Sequence, residues 1–215
     1  MANQSTETSV HSIENDTALP TIELRRIASI QRAPLFKSDH SGAYQSVGVV
    51  SIKDFPTAGY IVDAARRIDV DQDDERIRQF FLEPYDVLVT IVGTIGKVTI
   101  VSPQLQDRWV AATNMLRIRF IENRQHHAIA LYGFFKSPVG SAVLDRLTHG
   151  RAIPLISKKE FARIRIPELS PTVAEKTMDL WEQENALYTE SMKKLEASQS
   201  VFDDYSFDVE ERSVG

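Results

Sequence analysis

The stretch Tyr85-Asp86-Val87-Leu88-Val89-Thr90-Ile91-Val92-Gly93-Thr94-Ile95-Gly96-Lys97-Val98-Thr99-Ile100-Val101 consists of two β-rich runs around a glycine-bounded tetrad. Val, Ile and Thr have restricted χ1 angles and pack well on a pleated surface, and Gly93 and Gly96 accept backbone conformations that other residues resist. The stretch predicts a β-hairpin. The tetrad is not a phosphate-binding loop, because its glycines are too close together and Lys97 is followed by Val98 rather than Ser or Thr.

On the N-terminal side, 22–30 reads as a short helix or a strand, Ser46–Ile52 (SVGVVSI) as a strand, and Asp54–Gly59 as a turn. On the C-terminal side, the alternation in MLRIRF within Ala111–Phe120 predicts a strand. Met115 or Leu116, Ile118 and Phe120 would be buried, and Arg117 and Arg119 would face outward. Between His126 and Leu147 the apolar residues recur every three or four positions and are interrupted by Pro138, which predicts two helices or one kinked helix. Ser157 with Glu160 reads as a capping box opening a short helix, and ARIRI at 162–166 as a short strand ended by Pro167.

From Pro171 to about Phe202 the pattern is helical. Ala174, Met178, Trp181, Asn185, Tyr188, Met192, Leu195, Gln199 and Phe202 alternate four- and three-residue steps, a heptad seam with polar residues at two a-type positions. Val173, Leu180 and Leu187 form a second apolar line about 100° around the helix. One line can pack on the domain while the other meets a second helix. The predicted class is therefore α+β: a flexible leader (1–20), a β-rich domain with short helices (21–170), one long coiled-coil-type helix (171–202) and an acidic tail (203–215).

The chain has 215 residues, enough for one sizeable core. It has no cysteine, which excludes disulfides, thiolate metal sites and cysteine nucleophiles and suits a reducing, cytoplasmic compartment. Its apolar runs are too short to span a bilayer, and its first twenty residues do not read as a signal peptide. The net charge of -5 averages unlike parts: -3 over 1–20, +5 over 21–170 and -7 over 171–215. A basic middle joined to acidic ends is compatible with a nucleic-acid partner.

Catalytic patterns are missing. Glu83-Pro84-Tyr85 only faintly resembles an amino-methyltransferase signature, and no Asp-x-Lys or Glu-x-Lys triplet of the usual metal-dependent nucleases occurs. His126, His127 and His149 lack metal-helix spacing. The sequence argues against an enzyme, and no cofactor is expected.

Taken in order, the segments resemble the target-recognition domain of the specificity (S) subunits of type I restriction-modification systems, over about residues 22–200. Leu24–Ile30 matches the opening hydrophobic-x-x-Ile-Ala-x-Ile, Val49–Asp54 a strand of the form V-x-x-I-K-D, and 85–101 the run G-D-h-L-h-T-h-x-G-T-I-G-K/R-h-x-h-V, where h is apolar. Leu131–Gly140 (LYGFFKSPVG) echoes the family's Y-x-x-x-F-L-K-S-x-x-G helix, and Gly150–Pro167 its closing loop and strand. Two departures stand out: Tyr85 replaces the usual Gly, and Ala174-Glu175-Lys176 replaces the Gln common after the closing turn. A full S subunit resembles two such domains joined by two long helices, whereas this chain has one of each.

The resemblance implies a non-catalytic reader of double-stranded DNA that brings a separate methyltransferase, and a restriction subunit, to one half of a split site. Candidate DNA contacts are Arg32, Lys37 and Lys53, Thr94 and Lys97 of the hairpin turn, Arg117 and Arg119, and Arg151, Lys158 and Lys159. Met178, Trp181, Asn185, Tyr188, Met192 and Leu195 are the candidate helix contacts of a homodimer on a palindromic site. The alternative is an adaptor or inhibitor on the same scaffold, using the acidic end (Asp203, Asp204, Asp208, Glu210, Glu211) against a basic partner.

Overall fold

The computed structural model describes residues 20–36, 43–148, 155–168 and 171–203. The leader and the tail beyond residue 203 lie outside the described residues. The hairpin forms as predicted: β6 (Val87–Thr90) pairs antiparallel with β7 (Val98–Val101), with Val87 opposite Ile100 and Val89 opposite Val98. Its turn is closed by Thr90, whose buried Oγ1 accepts the Lys97 N–H at 3.0 Å, while Gly93 and Gly96 take φ of 78° and 80°. These are left-handed values that glycine adopts without steric cost.

The hairpin lies within a five-stranded sheet, β2-β9-β6-β7-β4, formed with β2 (Ala28–Gln31), β4 (Tyr60–Ile61) and β9 (Met115–Phe120). A three-stranded sheet places β3 (Tyr44–Val50) between β5 (Arg66–Asp71) and β8 (Trp109–Ala111). The predicted MLRIRF strand forms as β9, and Ala111 just before it ends β8, which lies in the other sheet. The 22–30 segment is strand, 3-10 turn and strand: β1 (Thr21–Glu23), Leu24–Arg26 and β2. β1 pairs with β10 (Arg165–Pro167), so the two ends of the β-rich part meet.

Pro138 separates two helices, α2 (Arg124–Lys136) and α3 (Pro138–Arg146), after the four-residue α1 (Glu75–Arg78). Ser137 caps α3 by accepting the Gly140 N–H. A Cβ on Gly140 would sit 1.9 Å from the Phe134 carbonyl oxygen, so only glycine permits this helix corner. α4 (Lys158–Phe161) is capped by Ser157, as expected, and α5 runs from Pro171 to Asp203.

The alternation of side chains across each strand divides the core. Val87, Val89, Leu116, Ile118 and Phe120 face α2 and the start of α5, together with Ala128, Leu131, Tyr132, Met178 and Trp181. Leu88, Val101 and Met115 face the other way, against Val50, Trp109 and Ala111 of the smaller sheet. Among the described residues no helix is long and apolar enough to cross a membrane.

Two expectations fail. Arg117 and Arg119 do not both face solvent: Arg117 is 5% exposed and Arg119 is largely buried, because the far face of β9 is covered by the segment 79–83 rather than by water. The first half of the α5 seam is not free for a second helix either, because Met178 and Trp181 are buried in the chain's own core.

Candidate nucleic-acid interface

At one end of the large sheet the chain turns four times within a small region. β2 ends at Gln31 and leads to Arg32, whose Nε donates to the Thr113 carbonyl at 2.5 Å. The Ile91 N–H donates to the Asn114 carbonyl, and the Ile156 N–H to the Ile91 carbonyl. Val92 bridges to Leu155. The structure therefore brings the 32–36 segment, the 91–97 turn, the 112–114 turn and the start of α4 to one rim, from segments far apart in sequence.

Arg32, Thr94, Lys97, Lys158 and Lys159 are all exposed on these segments. Lys53 is exposed in the 3-10 turn after β3, whose last carbonyl, on Val50, accepts the Ala112 N–H. Lys37 and Arg151 lie outside the described residues. Cations on loops at one sheet end can neutralise phosphates while neighbouring polar side chains reach base edges.

Sequence reading missed Arg66. It is exposed and lines a shallow cleft with Pro34, Phe36 and Thr113, which places it beside Arg32's segment. Nothing local marks it, because Asp69 and Asp71 follow on the same strand and cancel its charge in any sequence window. The adjacent Arg67 is different in kind: it forks onto Asp107, with Nη1 to Oδ2 at 2.5 Å.

The other two candidate arginines serve the frame. Arg117 donates to the carbonyls of Gln79 and Phe81 at 2.9 and 3.1 Å and to Gln31 Oε1 at 2.6 Å. Burial, and then the neighbouring Arg119, lower its pKa. Arg119 grips Asp86 with two nitrogens and also reaches Glu83, which in turn binds Arg124. Burial is the largest single influence on Arg119 and opposes its charge, but the hydrogen bonds to Asp86 and the charges of Asp86 and Glu83 together raise the pKa. Asp86 itself is pushed above the usual carboxylate range by burial, with Arg119 opposing the shift. The ion pair nonetheless persists, since each partner's charge is the other's main compensation.

Two features of the hairpin stretch are thus architectural: Asp86 anchors β9 through Arg119, and Thr90 latches the turn. No group of three or more His, Asp or Glu residues able to hold a metal ion occurs among the described residues.

The fold is shared with part of the S subunits of type I restriction-modification systems. Solved structures that share it include the S subunit of the type I restriction-modification system from M. genitalium, with a TM-score of 0.54 at 14% identity over 85% of this chain and 44% of that one. The HsdS subunit from Thermoanaerobacter tengcongensis gives a TM-score of 0.52 at 13% identity, over 85% of this chain and 42% of that one. A chain from a structure of the assembly and conformational transition of the type I R-M system gives 0.53 at 14% identity, over 88% and 45%. This chain therefore spans less than half the length of the S-type chains it matches. No protein-family model matches the sequence. No curated protein matches it either.

Proposed function

We propose that this chain is a non-catalytic subunit that recognises a specific double-stranded DNA sequence in a type I-like restriction-modification or related defence system. In this reading the rim at Arg32, Lys53, Arg66, Thr94, Lys97, Lys158 and Lys159 faces DNA, and Lys37 and Arg151 belong to adjoining segments. A separate methyltransferase, and a restriction subunit, are brought to the site in the cytoplasm. The observation that carries the reading is that at least 85% of the chain superposes on less than half of each S-type structure. That is the size of a reader of one half-site.

Two copies would then complete a split site. The surface available for pairing is the second apolar line on α5, which the domain leaves uncovered: Val173 is 48% exposed, Leu180 58% and Leu187 68%, and the seam residue Leu195 is 50% exposed. Tyr188 and Met192 of the heptad seam are half-buried and lie beside this line, whereas Met178 and Trp181 belong to the domain.

The test is co-purification from the source cell followed by duplex selection. The expected result is capture of a DNA methyltransferase and enrichment of one sequence. Capture of a protein partner without any duplex preference would instead establish the adaptor reading. Within the complex, K97E, R151E and K158E together should abolish binding at moderate salt. Unchanged affinity would remove the proposed surface.

A further inference from the structure

Tyr85 holds a backbone conformation that suits glycine, with φ at 65°. An aromatic side chain there crowds its own backbone, a strain that persists only where the surroundings over-determine it. The surroundings are a row of rings. Tyr85 meets Tyr60 edge-on at 6.3 Å between centroids, Tyr60 meets Trp181 at 5.2 Å, and Trp181 meets Tyr132 of α2 at 4.7 Å. Edge-to-face pairs at these separations are favourable beyond the area they bury and are directional. Trp181 is 3% exposed, so α5 is gripped from both sides at this point.

A second point of close approach lies one turn further along the helix. A Cβ on Gly59, where φ is 80°, would fall 2.6 Å from Asn185 Oδ1 and 3.5 Å from the Tyr188 ring. Gly59 of the 55–59 turn thus lies directly against the Asn185 and Tyr188 side chains of α5, in space that a Cβ would need. Asn185, which the heptad pattern suggests as a register residue between helices, meets this chain's own turn.

From Trp181 to Asp203 an α-helix is about 33 Å long, so a swing of about 10° at the grip moves the far end by about 6 Å. Small changes at the ring row are therefore magnified at the end of α5.

We propose that Tyr85 is a positioning residue: its ring buttresses Tyr60 against Trp181 and so fixes the direction in which α5 leaves the domain. The consequence for DNA rests on the function proposed above. In a pair of copies joined through α5, that direction sets the gap between the two half-sites the dimer accepts.

The absence of cysteine makes the direction measurable. Cysteines placed at exposed Asp73 and Ser198 and carrying spin labels give a domain-to-helix distance distribution in the free protein. The parent should be narrow, and Y85G should broaden the distribution at least twofold with no loss of thermal midpoint, since backbone strain is relieved as the ring is removed. Y85N, which tolerates the left-handed backbone but lacks the ring, should be as broad as Y85G, and Y85F as narrow as the parent. Y85G and Y85N distributions as narrow as the parent's would overturn the proposal, as would a Y85F distribution as broad as theirs.

A second arm uses duplexes carrying two copies of the selected half-site with gaps varied one base pair at a time. The parent should prefer one gap, and Y85G should flatten that preference at least fivefold. A Y85G protein that keeps the parent's preference overturns the link to spacing. A parent that binds no duplex overturns the DNA-reading function instead, and the distance measurements then decide the role of Tyr85 alone.

Discussion

Arg119 and Asp86 form a two-pronged ion pair, Nη2 to Oδ2 at 2.6 Å and Nε to Oδ1 at 2.7 Å, with the aspartate 1% exposed. Removing one partner strands the other's charge in a poorly hydrated place. D86N should therefore cost about 3 kcal/mol in chemical denaturation. The double variant D86N/R119M should lose at least about 1 kcal/mol less than the sum of the two single variants, because neither charge is then left alone. Strict additivity would show that the pair is not coupled.

Asp107 responds to pH in the opposite sense to Asp86. Its hydrogen bond with Arg67 holds its carboxyl below the usual range. The pair therefore stabilises the fold above the unfolded-state pKa, and that contribution is lost as pH falls through the lower folded value. Both side chains are over 40% exposed, so R67A should cost less than about 1 kcal/mol at pH 7. The difference from the parent should fade in strong acid, as acid-denaturation curves of the two proteins would show.

The Thr90 latch should be visible in hydrogen exchange. T90V removes the acceptor for the Lys97 N–H and should cost about 1 kcal/mol. In T90V the Lys97 amide should exchange faster than in the parent, while Ile100 and Val101, further along β7, keep their protection. Equal protection at Lys97 in both proteins would refute the latch.

On the proposed DNA rim, every cation taken away from a phosphate should lower the slope of log affinity against log salt by about 0.9. R32A/R66A should thus reduce the slope by about two if both arginines meet phosphates, with little change in thermal midpoint. R67A, whose guanidinium is already engaged by Asp107, should leave the slope unchanged.

The two apolar lines of α5 should separate folding from pairing. W181A removes a side chain from the core and should cost about 3–5 kcal/mol in the monomer. L187E, on an exposed position, should leave monomer stability within about 0.5 kcal/mol and abolish self-association in light scattering at micromolar concentration. A parent that is monomeric with and without DNA would remove the homodimer.

The hairpin, the Pro138 break, the Ser157 cap and the long helix are all legible in the sequence, because each depends on residues within a few positions of one another. Two β-branched runs with glycines between them have few other ways to pair. The two faces of β9 are not legible: alternation separates Arg117 and Arg119 from Ile118 and Phe120, but cannot tell whether the second face meets water or another segment of the chain. Only the approach of 79–83 and of Gln31 turns that face inward and satisfies the arginines. The same holds for α5 and for the rim. The heptad spacing determines that the helix is apolar along two lines, and tertiary packing decides that Trp181 belongs to the domain while Leu187 remains exposed. The segments that carry Arg32 and Lys97 come to one end of the large sheet, and Arg66 of the smaller sheet lines a cleft beside the first of them, because strand pairings join distant segments; those long-range pairings are set by the whole core rather than by any local pattern.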